Sequence, residues 1–170
     1  MARQKIITHP HPVLGEVAEP IKVIDSEIRE LAGDMVETMY DAPGIGLAAN
    51  QIGIAKRIIV YDLVKRGDDA NLTVLINPEI VSAEGETSTE EACLSVIDFS
   101  AEVKRSAHVR VTGLNLDGEE VEVEGEGLFA IVLQHEIDHL DGKLFIDRLG
   151  SLRRMLYNRH LKKVLEARRT

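Results

Sequence analysis

The chain has 170 residues, a length that fits one ordinary domain with a buried core. Hydrophobic residues make up 44% of it and charged residues 29%, which argues against disorder, and its short apolar stretches cannot span a bilayer. The N-terminus has neither the apolar segment of a secretory signal nor the Ser- and Arg-rich character of a mitochondrial one. Residues 1–170 are therefore expected to form a single cytoplasmic domain with no membrane association.

The net charge is −9, and it is unevenly distributed. Residues 151–170 hold seven basic side chains and one acid, Glu166, which leaves 13 of the 20 basic and 28 of the 29 acidic residues in 1–150. A basic segment on an acidic body favours a polyanionic partner for that segment. The alternative is a solvated helix attracted to the acidic body of its own chain.

The first helix is predicted to begin at Asp25, a good N-cap, and to end at Pro43 and Gly44. Its apolar residues recur at helical spacing and define one buried face. They are Ile28, Leu31, Ala32, Met35, Val36 and Met39.

The pattern then changes to short strands. Ile58 to Tyr61 and Val74 to Ile76 are predicted strands, with Asn77-Pro78 expected to break the second one. Alternating apolar residues at 109–116 and 121–123 flank Asp117-Gly118, which predicts a β-hairpin.

Two further helices are predicted, from Gly127 to about Asp141 and from Ser151 to about Arg168. The first is apolar nearly all round, which is typical of a buried central helix. The second is the basic C-terminal helix, with three leucines available for docking: Leu152, Leu156 and Leu161. The order of elements predicts an α+β fold, in which antiparallel strands pack around the central helix between an N-terminal and a C-terminal helix.

The central helix carries the sequence His-Glu-Ile-Asp-His at 135–139. Histidines four residues apart lie about 40° apart around a helix, so His135 and His139 can bind the same metal ion. Glu136 is placed to take a proton from water at that metal, and Asp138 can orient the site or pair with a buried cation. The pattern predicts a metallohydrolase, and the alternative is a pair of hydrogen-bonded core histidines.

A catalytic site of this kind needs a third protein ligand. The extended metzincin pattern would place a histidine where this chain has Phe145, so that arrangement is excluded. A thermolysin-like site would take a glutamate from a following helix, but the only acid after Asp147 is Glu166, in the basic segment near the chain end. The remaining candidate is Cys93, the chain's one cysteine. A lone thiol is more often a small buried residue, but thiolate with two imidazoles forms a tetrahedral site whose fourth position is open to water.

Three segments together resemble peptide deformylase. They occur in that family's order and at compatible spacing, and weaker similarity extends over essentially the whole chain. The segments are Glu91-Ala92-Cys93-Leu94-Ser95, the run from Gln134 to His139, and Gly44-Ile45-Gly46-Leu47-Ala48-Ala49-Asn50-Gln51.

The resemblance implies a single catalytic domain that removes the formyl group from the N-terminal methionine of nascent proteins and releases formate. Cys93, His135 and His139 would bind one divalent metal, usually Fe²⁺ in this family, with Zn²⁺, Ni²⁺ or Co²⁺ able to replace it. Glu136 would serve as general base and acid while metal-bound water attacks the formyl carbon. Gln51 and the backbone N–H of Leu94 would stabilise the oxyanion.

The glycine-rich segment is also the expected substrate-binding segment. Extended backbone at Ile45 and Gly46 can pair with a peptide as a β-strand does, and glycine permits close approach. A helix stop followed by small packing residues is the alternative interpretation of this segment. By resemblance, Arg105 is a candidate partner of Asp138 or the thiolate, and a surface arginine at a strand end is the alternative.

Three positions depart from the family pattern. Ala92 stands where glycine is usual, Ile97 where proline is common, and Ser100 where some members carry an arginine at the pocket rim. None of these changes touches a predicted ligand or the predicted base. They bear on rate and substrate range more than on the reaction.

The basic C-terminal helix resembles the one by which bacterial members reach the ribosome, which supplies a polyanionic partner, and no DNA partner is expected. Two other functions stay open from the residues alone. One is a different metallohydrolase with the same two-histidine pattern, such as a peptidase. The other is a non-catalytic metal-binding protein associated with the ribosome.

Overall fold

The computed structural model of the protein describes residues 2–64 and 71–169, so Thr170, at the end of the predicted basic helix, lies outside the described residues. The fold is α+β, as predicted. Its α-helices are α1 (Ser26–Asp41), α2 (Leu128–Leu140) and α3 (Ser151–Arg168). Its strands are β1 (Gly46–Ala48), β2 (Ile58–Tyr61), β3 (Thr73–Glu84), β4 (Thr87–Cys93), β5 (Val96–Arg105), β6 (His108–Leu114) and β7 (Glu120–Glu126).

All strand pairs in the two sheets are antiparallel. Five strands form one sheet in the order β1-β2-β3-β6-β7, and β4 and β5 form a separate hairpin. One apolar core joins α2 to the larger sheet through residues such as Ile59, Leu75 and Leu133, and a second joins α1 to it. The central position predicted for α2 is therefore confirmed, and it places the helix between the sheet and the hairpin.

The predicted first helix and the predicted hairpin are both present. The Asp25 side chain accepts a hydrogen bond of 3.1 Å from the backbone N–H of Ile28, and the buried face of α1 includes Leu31, Met35 and Met39. Strands β6 and β7 pair around a turn in which Gly118 has a φ of 79°. Glycine adopts this positive φ at little steric cost, which explains why Asp117-Gly118 correctly indicated the turn of the hairpin.

The predicted break at Asn77-Pro78 was wrong, because β3 continues through both residues. The strand accommodates them with a shift of register against β6 between Ile76 and Glu79. Asn77 adopts a φ of 51°, and its side-chain amide bonds both the N–H and the carbonyl oxygen of Ile21, at 2.8 Å each. A bulge therefore absorbs the proline that a regular ladder would exclude.

The docking face of α3 also differs from the prediction. Leu152 and Leu156 are 67% and 47% exposed, so neither anchors the helix. Tyr157 is buried instead, in a cluster with Val96 and Phe145, and the half-buried Leu161 packs against that cluster. No helix within the described ranges has the length and apolar character needed to cross a membrane.

Candidate metal centre

The three predicted ligands come together between β4 and α2. Cys93 is the last residue of β4, and His135 and His139 lie one helical turn apart on α2. One ligand atom from each lies within 4.8 Å of the others, and Cys93 Sγ is 3.4 Å from His139 Nε2. The folded chain thus joins a thiol to two histidines more than forty residues away in sequence.

Glu91 fixes the orientation of His135. Because Glu91 precedes Cys93 by two residues on β4, both side chains point from the same face of the strand. Glu91 Oε1 accepts a hydrogen bond of 2.9 Å from His135 Nδ1, which makes Nδ1 the protonated nitrogen and leaves Nε2 for a metal. Burial opposes a charge on His135, but hydrogen bonds with Cys93 and Glu91 outweigh it and hold the pKa of His135 well above its usual value.

A chain of alternating charges continues from Glu91 to the surface. Arg105 donates to both carboxylate oxygens of Glu91 at 2.8 Å and to Asp138 at 2.6 Å. Arg148 then forms a two-point contact with Asp138 at 2.6 and 2.8 Å. Burial alone would raise the pKa of Glu91 and of Asp138, but the hydrogen bonds from these arginines keep the pKa of each carboxyl below its usual value. Both acids are therefore ionised in this network.

Part of this network could be predicted from the sequence. The cation partner predicted for Asp138 is present, and Arg105 is 4% exposed, so its interpretation as a surface arginine was wrong. The roles of Glu91 and Arg148 were missed. The spacing of Glu91 from Cys93 on a strand was a usable signal, whereas nothing local marks Arg148 because its partner lies on the preceding helix.

Glu136 is buried in a different environment from these acids. Burial raises the pKa of Glu136 to about 7. The positive charges of His135 and Arg105 favour the ionised form and lower the pKa, but burial has the larger effect. Its Oε1 has no hydrogen-bond partner among the described residues. A Cβ at Gly46 would lie 2.5 Å from Glu136 Oε2, so the glycine leaves the space that the carboxylate occupies. The close approach of a peptide to Gly46 stays a prediction, and the contact with Glu136 is a second reason for glycine at this position.

The predicted oxyanion donors lie beside the thiol. Gln51, in a short 3-10 helix at Ala49–Ile52, is 2% exposed, and its Nε2 is 3.7 Å from Cys93 Sγ. Leu94 follows Cys93 in the turn between β4 and β5 and is 36% exposed. Both residues line the same cleft as His135 and Glu136.

That cleft has a volume of about 670 Å³ and a largely apolar lining. Apolar residues that line it include Ile45, Leu94, Val96, Leu128, Ile131 and Val132. Two of the three departures from the family pattern, Ala92 and Ser100, also line it, and the Ser100 hydroxyl donates to Glu90 at 2.9 Å. The third, Ile97, is half-buried and its carbonyl oxygen accepts a hydrogen bond of 2.8 Å from His160 Nε2.

The residues present suit a divalent metal ion. Thiolate and imidazole are ligands accepted by iron(II), zinc, nickel and cobalt. Burial and the neighbouring His135 lower the pKa of His139 well below its usual value, which keeps that imidazole in the neutral form a metal requires. The partnerless Glu136 Oε1 adds a buried polar atom at the same cleft, which calls for a polar occupant.

Comparisons with known proteins agree with this arrangement. The family model described as polypeptide deformylase matches residues 3–155. A peptide deformylase from Syntrophobacter fumaroxidans is 49% identical over 166 residues, which cover 98% of each chain. The crystal structure of a peptide deformylase from Legionella pneumophila aligns with a TM-score of 0.91 at 44% identity, covering 98% of both chains. One from Ehrlichia chaffeensis, in complex with actinonin, aligns with a TM-score of 0.89 at 34% identity, covering 96% of this chain and 98% of the other.

Proposed function

The chain belongs to the peptide deformylase family, and from that premise we propose how its own residues perform the reaction. The protein is a metal-dependent hydrolase that removes the N-formyl group from N-formylmethionyl nascent peptides. The observation that carries the proposal is the meeting of two unlike groups at one cleft. These are a Cys–His–His cluster with its donor atoms within 4.8 Å and a buried carboxylate, Glu136, with a partnerless oxygen.

Cys93, His135 and His139 would hold the metal, with the thiol as thiolate and each imidazole binding through Nε2. The Glu91 hydrogen bond supports this role for His135, since it occupies Nδ1 and turns Nε2 toward the cluster. A bound divalent metal supplies a Lewis acid that polarises the formyl oxygen and activates water.

Glu136 acts as the general base and then as the general acid. Burial raises the pKa of Glu136 to about 7, which is the direction that suits a group that must first accept and then donate a proton. The carboxylate takes a proton from the attacking water and passes it to the amine nitrogen of the leaving methionine. The space left by Gly46 allows the carboxylate to reach the cleft without a steric conflict.

Gln51 Nε2 and the backbone N–H of Leu94 stabilise the negative charge that develops on the formyl oxygen. Their support is positional, because both residues line the cleft, Gln51 Nε2 lies 3.7 Å from Cys93 Sγ, and Leu94 is the residue that follows Cys93. Preorganised donors of this kind contribute typically about 3 to 4 kcal/mol to transition-state stabilisation.

The nascent peptide binds along β1 in an extended conformation. β1 is the terminal strand of the five-stranded sheet, so one of its edges is free of any partner strand among the described residues. Ile45 and Gly46 line the cleft at this edge, and an added strand would place its methionine side chain against the apolar lining.

The test compares formyl-Met-Ala with acetyl-Met-Ala as substrates for the metal-loaded enzyme. We expect formate release from the first at a rate that exceeds acetate release from the second by orders of magnitude, because a deformylase site admits only hydrogen on the acyl carbon. Equal turnover of both peptides would favour a general amidase or peptidase, and turnover of neither would favour a non-catalytic metal-binding protein.

We propose iron(II) as the metal in the cell, since one thiolate and two imidazoles suit it and the family usually uses it. Elemental analysis after anaerobic purification, combined with activity per bound metal, tests this. Iron content near one per chain with rapid loss of activity in air is the expected result. Zinc at full occupancy with full, air-stable activity would contradict it.

We also propose that residues 1–170 act as one catalytic domain in the cytoplasm and that α3 attaches it to the ribosome. The support is a set of exposed basic residues on α3 and a substrate that is still attached to the ribosome. These residues are Arg153, Arg159, Lys162 and Lys163. Cosedimentation with ribosomes is expected to fall for Arg159→Glu with Lys163→Glu and to persist for the control pair Lys22→Glu with Lys56→Glu. Equal sedimentation of both variants would exclude α3 as the attachment.

A further inference from the structure

The side-chain amide of Gln51 has one orientation in this structure. Its Oε1 accepts a hydrogen bond of 3.0 Å from the backbone N–H of Ala48. A backbone N–H can only donate, so the amide oxygen must face Ala48 and the NH₂ group must face the other way. Nε2 then has two N–H groups to distribute on the side of Cys93.

Ser95 receives one of these two N–H groups. Gln51 Nε2 donates to Ser95 Oγ at 3.0 Å, while the distance from Nε2 to Cys93 Sγ is longer, at 3.7 Å. Because the two hydrogens of an amide diverge by about 120°, a hydrogen held by Ser95 sets the direction of the second one. That second hydrogen lies on the side of the thiol and the cleft.

Ser95 itself is held firmly and away from substrate. It is 0% exposed, and it is not among the residues that line the cleft. Cys93 pairs with Val96 across the two-residue turn, Ser95 N–H donates to Cys93 Sγ at 3.4 Å, and Ser95 carbonyl oxygen accepts from His9 N–H at 2.8 Å. Its backbone thus fixes the hydroxyl relative to the thiol on one side and to the N-terminal segment on the other.

We propose that Ser95 is a positioning residue for deformylation, which orients the Gln51 amide so that its second N–H points at the formyl oxygen. Without the hydroxyl, the Ala48 contact still restrains the amide oxygen, but only the long 3.7 Å contact with Cys93 Sγ remains on Nε2, so the amide plane can swing about the Ala48 contact. The donor then spends less time in the productive direction, which lowers the rate after substrate has bound. The inference rests on the proposed role of Gln51 as an oxyanion donor.

The experiment measures kcat and KM per bound metal for Ser95→Ala with formyl-Met-Ala. We expect kcat to fall about 10- to 100-fold, the scale on which small errors of alignment affect rate, with KM changed less than about twofold. Metal content is expected to stay at the wild-type level, because the backbone N–H that contacts Cys93 Sγ is retained. Ser88→Ala, a serine on the same hairpin outside the cleft lining, is the matched control and should keep wild-type kcat.

A double-mutant comparison isolates the path through Gln51. If Ser95 acts by orienting that amide, Ser95→Ala has almost no further effect on kcat in a Gln51→Ala background. An equal fall in both backgrounds, or wild-type kcat for Ser95→Ala alone, would overturn the proposal. A slow Gln51→Ala enzyme with a fast Ser95→Ala enzyme refutes only the role of Ser95, whereas a fully active Gln51→Ala enzyme refutes the oxyanion donor in the proposed function.

Ser95→Cys provides a second route if the alanine variant does not fold. It preserves most of the buried volume but replaces a strong acceptor with a weak one, so kcat is expected to fall in the same direction with KM unchanged. Wild-type kcat for Ser95→Cys would count against the proposal.

Discussion

The two sides of the metal centre are built on opposite principles. Behind the proposed ligands, a continuous chain of ion pairs joins Glu91, Arg105, Asp138 and Arg148, and every charge in it meets its opposite. In front of them, Glu136 faces an apolar cleft with one oxygen lacking any partner among the described residues. The carboxylates on both sides, Glu91, Asp138 and Glu136, are buried, so the difference lies in which charges and hydrogen bonds each one meets.

That difference separates the functions of the acids. The ion-paired acids Glu91 and Asp138 have lowered pKa values and a fixed geometry, which suits the task of holding ligands, whereas burial raises the pKa of Glu136 to about 7. One helix therefore presents an ion-paired carboxylate, Asp138, and the proposed general base, Glu136, two residues apart. Substitutions among the ion-paired residues should accordingly change stability and metal affinity, whereas substitutions at or beside Glu136 should change kcat.

The largest expected effect on stability is at Arg105. Arg105→Met leaves Glu91 and Asp138 buried without the cation between them, and breaking a buried pair in this way typically costs about 3 to 5 kcal/mol. Urea unfolding of the metal-loaded protein measures the loss. Arg110→Met, which removes exposed pairs with Glu122 and Glu124, is the matched control and should cost less than about 1 kcal/mol. Similar losses in both variants would mean that the network does not stabilise the fold.

A smaller effect, on metal affinity, is expected at Glu91. Glu91→Gln keeps an acceptor for His135 Nδ1 but removes the negative charge that raises the basicity of the imidazole, so metal affinity should fall about 10- to 100-fold. Competition with a chelator measures it. The adjacent Glu90→Gln, on the opposite face of β4, should leave affinity unchanged. Unaltered affinity in Glu91→Gln would show that only the hydrogen bond matters.

On the open side, Gly46→Ala should slow the reaction without weakening the metal site. The added Cβ would lie 2.5 Å from Glu136 Oε2, so the carboxylate must move, and we expect kcat to fall about tenfold. Gly15→Ala, where the Cβ would meet nothing within 4 Å, is the control. Wild-type kcat for Gly46→Ala would show that Glu136 needs no fixed position there.

More of the front of the site than of the back could be predicted from the sequence. The proposed ligands His135 and His139, with Glu136, follow from helical spacing within five residues. Cys93 is proposed because it is the one cysteine available once Phe145 excludes a third histidine, and neither signal requires knowledge of the fold. The ion-pair network is not local, because Glu91 meets Arg105 across a hairpin and Arg105 meets Asp138 33 residues further along the chain. Charged residues at that separation carry no pattern until the strands are paired.

The errors in the fold have similar causes. Asn77 and Pro78 were expected to end a strand, but side-chain bonds from Asn77 to Ile21, 56 residues away, stabilise a bulge instead. The leucines of α3 were predicted to form its docking face, but the residue that is fully buried there is Tyr157. Its hydroxyl lies 2.7 Å from Nδ1 of His9, near the other end of the chain. In each case a contact distant in sequence outweighed a local preference.

Glu136→Gln tests the central claim most directly, with formate release and bound metal measured on the same preparation. Because the amide cannot carry the proton, we expect kcat to fall by a factor of about 10² to 10⁴ while metal content stays at the wild-type level. Glu120→Gln, an exposed substitution on β7, should match the wild type in both measurements. Full activity in Glu136→Gln at saturating metal, or a loss of activity explained entirely by lost metal, would contradict the division between a reactive front and a structural back.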